Sequence, residues 1–151
     1  MPSSLRLTPV ASSLIRSARV AHLATADAHG QPHVVPICFV FDGKYIYSPI
    51  DEKPKRATPQ KLKRLRNIAA NPQVAIVIDR YDEDWTKLEY VLVVGQARVT
   101  LRGVNYRKAV KLLRKKYSQY RTMAIDRRPL IVIRPKHVAS WAAGRVTSRN
   151  L

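Results

Sequence analysis

Two short turn signals constrain this chain more than any other feature. Asp27-Ala-His-Gly30 separates the strand-like residues 20–26 from 31–41, and Asp42-Gly43-Lys44 separates 31–41 from 45–48. Each signal supplies a glycine where a tight hairpin needs positive φ. Strands joined this closely pair antiparallel, because a parallel crossover takes a dozen residues or more. Two later connections read as helical, too few for a doubly wound parallel sheet.

The remaining segments fit the same plan. Thr8-Pro9 reads as a helix cap followed by proline in the first turn, with Val10, Leu14 and Ala18 at helical spacing, so residues 1–19 hold an N-terminal helix. Pro32 and Pro36 have no N–H for a ladder, which assigns 31–41 to a sheet edge or a bulge, or leaves its backbone open to a ligand. Residues 60–70 form a short helix with Leu62, Leu65 and Ile68 on one face, ended by Asn71-Pro72. Residues 74–78 are a buried strand, and 88–101 a long one in which Gly95 predicts a bulge or bend. Residues 105–117 are a cationic amphipathic helix with Tyr106, Val110, Leu113 and Tyr117 inward. Residues 130–141 are a last strand, interrupted by Pro135, and 143–151 a loose tail. The expected fold is α+β: one domain over residues 1–151, a small, mainly antiparallel β-barrel with peripheral helices.

Charge narrows the partners. The 151 residues include 28 Lys and Arg against 10 Asp and Glu, a formal net charge of +18. Such a field attracts polyanions: nucleic acid, an acidic lipid surface or a phosphorylated small molecule. The one cysteine, Cys38, forms no internal disulfide and reads as a buried, inert thiol. No apolar run approaches the roughly 20 residues of a membrane helix, and the first twenty residues lack the apolar centre of a signal peptide. A cytoplasmic protein without membrane contact is expected.

Lys53, Lys55, Arg56, Lys61, Lys63, Arg64 and Arg66 run through a loop into the start of the second helix. Free N–H groups and the helix dipole add to such side chains, and arginine grips phosphate oxygens in pairs. The same residues also read as a solvated cationic face, and spacing leaves both readings open. Arg107, Lys108, Lys111, Arg114, Lys115, Lys116 and Arg121 have no interleaved aromatic on which bases could stack. They read as a solvated face, with nonspecific nucleic-acid binding as the weaker alternative. His22, His29, His33 and His137 show no zinc spacing, and no nucleophile elbow, P-loop or dinucleotide fingerprint occurs. Trp85, a large aromatic in an acidic loop, is loosely exposed, caps the barrel, or packs on a partner subunit or flat ligand.

Five stretches, in this order and spacing, carry a family resemblance: Gly30-Gln-Pro-His-Val-Val-Pro-Ile37, Arg64-Leu-Arg-Asn67-Ile-Ala-Ala-Asn-Pro72, Asp79-Arg-Tyr-Asp-Glu-Asp-Trp85, Gly95-Gln-Ala-Arg-Val99 and Asp126-Arg-Arg128. From about residue 20 to 141 the chain resembles the split β-barrel proteins similar to pyridoxamine 5'-phosphate oxidase, in particular the branch of small F-420-dependent oxidoreductases. The resemblance implies a homodimer with two cofactor sites between the subunits. It implies a ring lying against Val35, Pro36, Ile37 and the strand of Ser48. Arg64, three residues before Asn67, stands at the phosphate-gripping position, with Lys55, Arg56 and Lys61 as further clamps on an anionic tail. Trp85 would come from the partner subunit. The activity implied is hydride transfer between reduced F-420 and a small conjugated substrate, with no side chain marked as proton donor. F-420 carries a phosphodiester and a polyglutamate tail, so it suits a basic chain better than FMN does. The alternatives are an FMN-dependent oxidoreductase, a non-catalytic flavin, deazaflavin or haem carrier (through His22 or His33), and a basic nucleic-acid binder.

Overall fold

The computed structural model describes residues 5–51 and 62–144. Helix α1 (Pro9–Ser17) begins where the Thr8 hydroxyl accepts the Ala11 N–H at 3.1 Å, and it buries Ala11, Leu14 and Ile15. Strands β1 (Ala21–Ala26), β2 (Pro32–Ile37), β3 (Val40–Phe41) and β4 (Ile46–Pro49) follow. Then come α2 (Lys63–Ala70), β5 (Gln73–Arg80), β6 (Glu89–Thr100), α3 (Val104–Lys116) and β7 (Leu130–Ala142). The strands form one antiparallel sheet in the order β2-β1-β5-β6-β7-β4-β3.

Both expected hairpins form. Asp27 accepts the N–H groups of His29 (2.8 Å) and Gln31 (2.9 Å) on one carboxylate oxygen, and Gly30 has φ +82°. Asp42 does the same for Lys44 (2.8 Å) and Tyr45 (2.6 Å), with Gly43 at φ +98°. Proline-bearing β2 is an edge strand, where its missing N–H groups cost no ladder bond.

Residues 31–41 are not one strand, although their composition predicts one. They divide into β2 and β3, which lie at opposite edges of the sheet with Cys38 and Phe39 between them. In a flat sheet those edges would stand roughly 29 Å apart, whereas the three peptide steps from Ile37 to Val40 span at most about 11 Å. The sheet therefore rolls until its edges meet, giving a split barrel. The apolar run Ile37-Cys-Phe-Val40 hides the corner, because residue type alone does not distinguish a strand from a turn between two buried edges.

Two cores result. Inside the barrel, Leu14 and Ile15 of α1 and Leu65 and Ile68 of α2 pack with Leu23, Ile76, Val93 and Ile133. Tyr106, Ala109, Val110 and Leu113 of α3 cover Val40, Tyr47, Leu130 and Val132 on another face. β7 serves both: Ile131 and Ile133 point into the first core, Leu130 and Val132 into the second. Its first four residues are accordingly all buried, as are the four of β4.

The bulge marked by Gly95 is present. Val94 pairs with His137 and Gly95 with Pro135, leaving Lys136 as the extra residue on β7. Pro135 thus sits at the irregularity and does not end the strand. The loose tail expected over 143–151 lies, beyond Gly144, outside the described residues.

Candidate functional site

A cleft of about 150 Å³ opens at the seam where β2 turns toward β3. One wall is Pro36, Ile37 and Cys38, at the end of β2 and its corner. Facing it are Ser48 and Pro49 of β4, with Asp51 just beyond, and Val20, just before β1, and Arg64 of α2 complete the lining. Pro36, Ile37, Ser48 and Arg64, all assigned to a site from the sequence, are thus brought together from three elements.

Arg64 is 7% exposed and is the one charged residue among the described residues that is buried as a whole. Placing a guanidinium in such a position costs free energy that charge-accepting neighbours or a ligand must offset. It occupies the second position of α2, and no acidic residue lies in that helix's first turn. The cation and the positive end of the helix therefore act in the same direction.

The other expected site residues lie as follows. Val35 is half-buried and packs on the barrel core, its side chain facing inward like that of Ile37. Asn67 is 1% exposed and donates its amide to the Thr25 hydroxyl at 3.0 Å, away from the cleft lining. Trp85 begins a short 3-10 turn capped by Asp84 and is 68% exposed, so it does not cap its own barrel. Lys55, Arg56 and Lys61 lie outside the described residues.

Ser48 donates its hydroxyl to the Cys38 carbonyl at 2.9 Å, holding the β2 corner against β4. Cys38 is half-buried and lines the cleft, a more open setting than the buried thiol anticipated. The corner is pinned from behind by α3 and its C-cap, Tyr117. The Phe39 N–H donates to the Tyr117 hydroxyl (3.1 Å), and the Lys116 ammonium donates to the Phe39 carbonyl (3.0 Å). Burial, and then the nearby Arg19, pull the Lys116 pKa down to about 8.

Asp51 and Tyr120 carry no signal in the sequence that marks them for a site. Tyr120 is 3% exposed and donates its hydroxyl to a carboxylate oxygen of Asp51. The two are 69 positions apart, and no local pattern links them.

The cationic cluster of α3 is partly used within the chain. Lys108 pairs with Asp42 at 3.2 Å. Arg114 pairs with Asp126 at 3.2 Å and also donates to the carbonyls of Tyr120 and Met123. Among the described residues no group of three His, Cys, Asp or Glu side chains could hold a metal ion, and no helix is long and apolar enough to cross a membrane.

A family model described as pyridoxamine 5'-phosphate oxidase matches residues 7–142, and the chain belongs to that family. No curated protein sequence matches it. Among solved structures, conserved hypothetical protein Rv2991 from Mycobacterium tuberculosis is 17% identical with a TM-score of 0.72, covering 98% of this chain and 96% of that one. HutZ, the heme storage protein from Vibrio cholerae, is 18% identical with a TM-score of 0.69, covering 93% of this chain and 96% of that one. An F420 reductase is 26% identical with a TM-score of 0.58, covering 85% of this chain and 94% of that one. The split barrel is common to them.

Proposed function

We propose that this chain is an F-420-dependent oxidoreductase that works as a homodimer on a small, flat, conjugated substrate. The observation that carries the reading is the cleft, which sets a buried Arg64 beside two strand ends stiffened by Pro36 and Pro49. A planar ring needs apolar walls of fixed geometry, and its phosphorylated tail needs a cation at one end. When bound, reduced F-420 supplies the hydride. The residues of this chain hold the tail at Arg64, align the ring along Pro36 and Ile37, and exclude water at the β2–β4 seam.

Three further observations support the proposal. The net charge of +18 suits a ligand with a phosphodiester and a polyglutamate tail. The chain is similar to an F420 reductase over 85% of its length. The cleft of about 150 Å³ is smaller than the roughly 300–1,000 Å³ of complete small-molecule sites, as expected if a second subunit closes it.

HutZ-like haem binding is less well supported. His22 and His33 lie on opposite faces of the β1–β2 ladder, and neither lines the cleft that would hold a ring.

The test is a fluorescence titration with F-420 and with FMN in parallel at physiological salt. Micromolar or tighter F-420 binding with weak FMN binding is expected, and the reverse preference would make FMN the cofactor. Arg64→Ala should weaken binding by roughly tenfold or more, the loss of a charge-assisted phosphate contact. Unchanged affinity would remove Arg64 from the site.

A further inference from the structure

The cleft's polar side chains differ in what they can still do for a ligand. Ser48 is 1% exposed and already donates its hydroxyl hydrogen bond to the Cys38 carbonyl. Arg64 only donates, and the nitrogens of Pro36 and Pro49 carry no hydrogen. Asp51 is the strong side-chain acceptor among the described residues of the lining.

Asp51 is also held. The preceding Ile50 is fully buried and donates its N–H to the Pro129 carbonyl at 3.3 Å. The Tyr120 hydroxyl binds Oδ2 of Asp51, and the Tyr120 ring packs on Tyr117 at 5.3 Å between centroids. The segment bearing Tyr120 is itself tied down. Arg114 holds the Tyr120 carbonyl at 3.1 Å, and the Tyr106 hydroxyl lies 3.0 Å from the Ile125 carbonyl and 2.6 Å from that of Arg128. Burial, and then the bond to Asp51, raise the Tyr120 pKa, so the phenol keeps its proton and remains a donor to Asp51. A neutral acceptor would also satisfy a buried phenol. Instead, one of ten acidic residues in a strongly basic chain stands at the cleft wall. A carboxylate offers about four acceptor sites, and Tyr120 takes one.

We propose that Asp51, oriented by Tyr120, is the acceptor that reads a hydrogen-bond donor on the ligand in this cleft, while Arg64 takes the ligand's anionic end. This rests on the ring-cofactor reading above. The donor is either the imide N–H of the ring or a hydroxyl of its polyol tail, and the two sources separate experimentally.

The experiment titrates wild type and Asp51→Ala with whichever of F-420 and FMN binds wild type. Both proteins are also titrated with the imide N-methylated form and with a form whose tail lacks hydroxyls. In wild type, removing the donor that Asp51 reads should weaken binding roughly ten- to hundredfold, the fold-change of a hydrogen bond to a charged group. In Asp51→Ala the same ligand change should have no effect. A loss confined to the N-methylated ligand assigns the imide, and a loss confined to the other assigns the tail. Equal losses in wild type and variant overturn the assignment of Asp51 and leave the cofactor reading standing. Binding of neither ring to wild type overturns both.

Asp51→Ala leaves Tyr120 without its acceptor. If that variant does not fold, the cycle is run with Asp51→Asn, whose carbonyl still accepts from Tyr120. Its amide N–H would then face the ligand donor, so the wild-type discrimination should disappear. Retained discrimination would overturn the proposal.

Discussion

At the scale of single residues, Lys116 shows how a side chain can serve the site at a cost to stability. Its ammonium lies 4.0 Å from the Phe39 ring centroid and donates to the Phe39 carbonyl, so it braces the corner that forms one wall of the cleft. Its pKa falls to about 8 in the fold against 10.5 ordinarily. Between those values the unfolded chain binds more protons than the native one, so stability rises with pH through that window. Tyr117 acts in the opposite sense at higher pH. Burial raises it to about 12 from 10.0, so above pH 10 the unfolded chain loses that proton first and stability falls. Urea midpoints measured from pH 8 to pH 10 should therefore rise in wild type and stay flatter in Lys116→Met. A parallel rise in both proteins would show that Lys116 is not the source.

At the scale of elements, the long β6–β7 ladder turns on Gly95. A Cβ there would overlap the carbonyl oxygen of Arg134 and meet the carbonyl carbon of Arg134 and the Cα of Pro135 at 3.0 Å each, all backbone atoms of a paired strand. Those atoms cannot swing aside as a flexible side chain would. Gly95→Ala should destabilise the protein by about 1–3 kcal/mol, the usual cost of overpacking, read as a lower urea midpoint. Because neither Gly95 nor Pro135 lines the cleft, affinity for the proposed cofactor should change little in the protein that remains folded. This glycine and its bulge were legible from the sequence, since a glycine inside an otherwise apolar strand marks a bulge or a close approach of backbone. The separation of β2 from β3 was not. It depends on which edges of a rolled sheet meet, and Ile37-Cys-Phe-Val40 is equally apolar in either arrangement.

For the whole molecule, the aromatic residues at one end of β6 and β7 bear on assembly. Trp85 is 68% exposed, and Tyr90 and Trp141 stack at 6.2 Å while remaining 41% and 38% exposed. Exposed aromatics close together favour burial against another surface. Sedimentation analysis should show a homodimer, and Trp85→Ala should weaken it by about 2 kcal/mol, roughly thirtyfold in dissociation constant, as for an aromatic anchor. A monomeric wild type would remove the second subunit from the site. An unaltered dimer in Trp85→Ala would place Trp85 outside the interface.

The sequence by itself determined the antiparallel class of the sheet, its hairpins, the bulge at Gly95 and the buried face of α3. These depend on local chemistry: Asp42 capping its own turn, glycine at positive φ, and apolar residues at helical or strand period. Arg64, Pro36, Ile37 and Ser48 were expected at a site only through what the family resemblance implies. Only the tertiary structure decided that these four residues line one cleft, and that Asp51 joins them on the arm of Tyr120. The physical reason is separation along the chain. Barrel closure brings together groups tens of residues apart, and each pairing depends on the path of the backbone between them, which neither residue encodes alone.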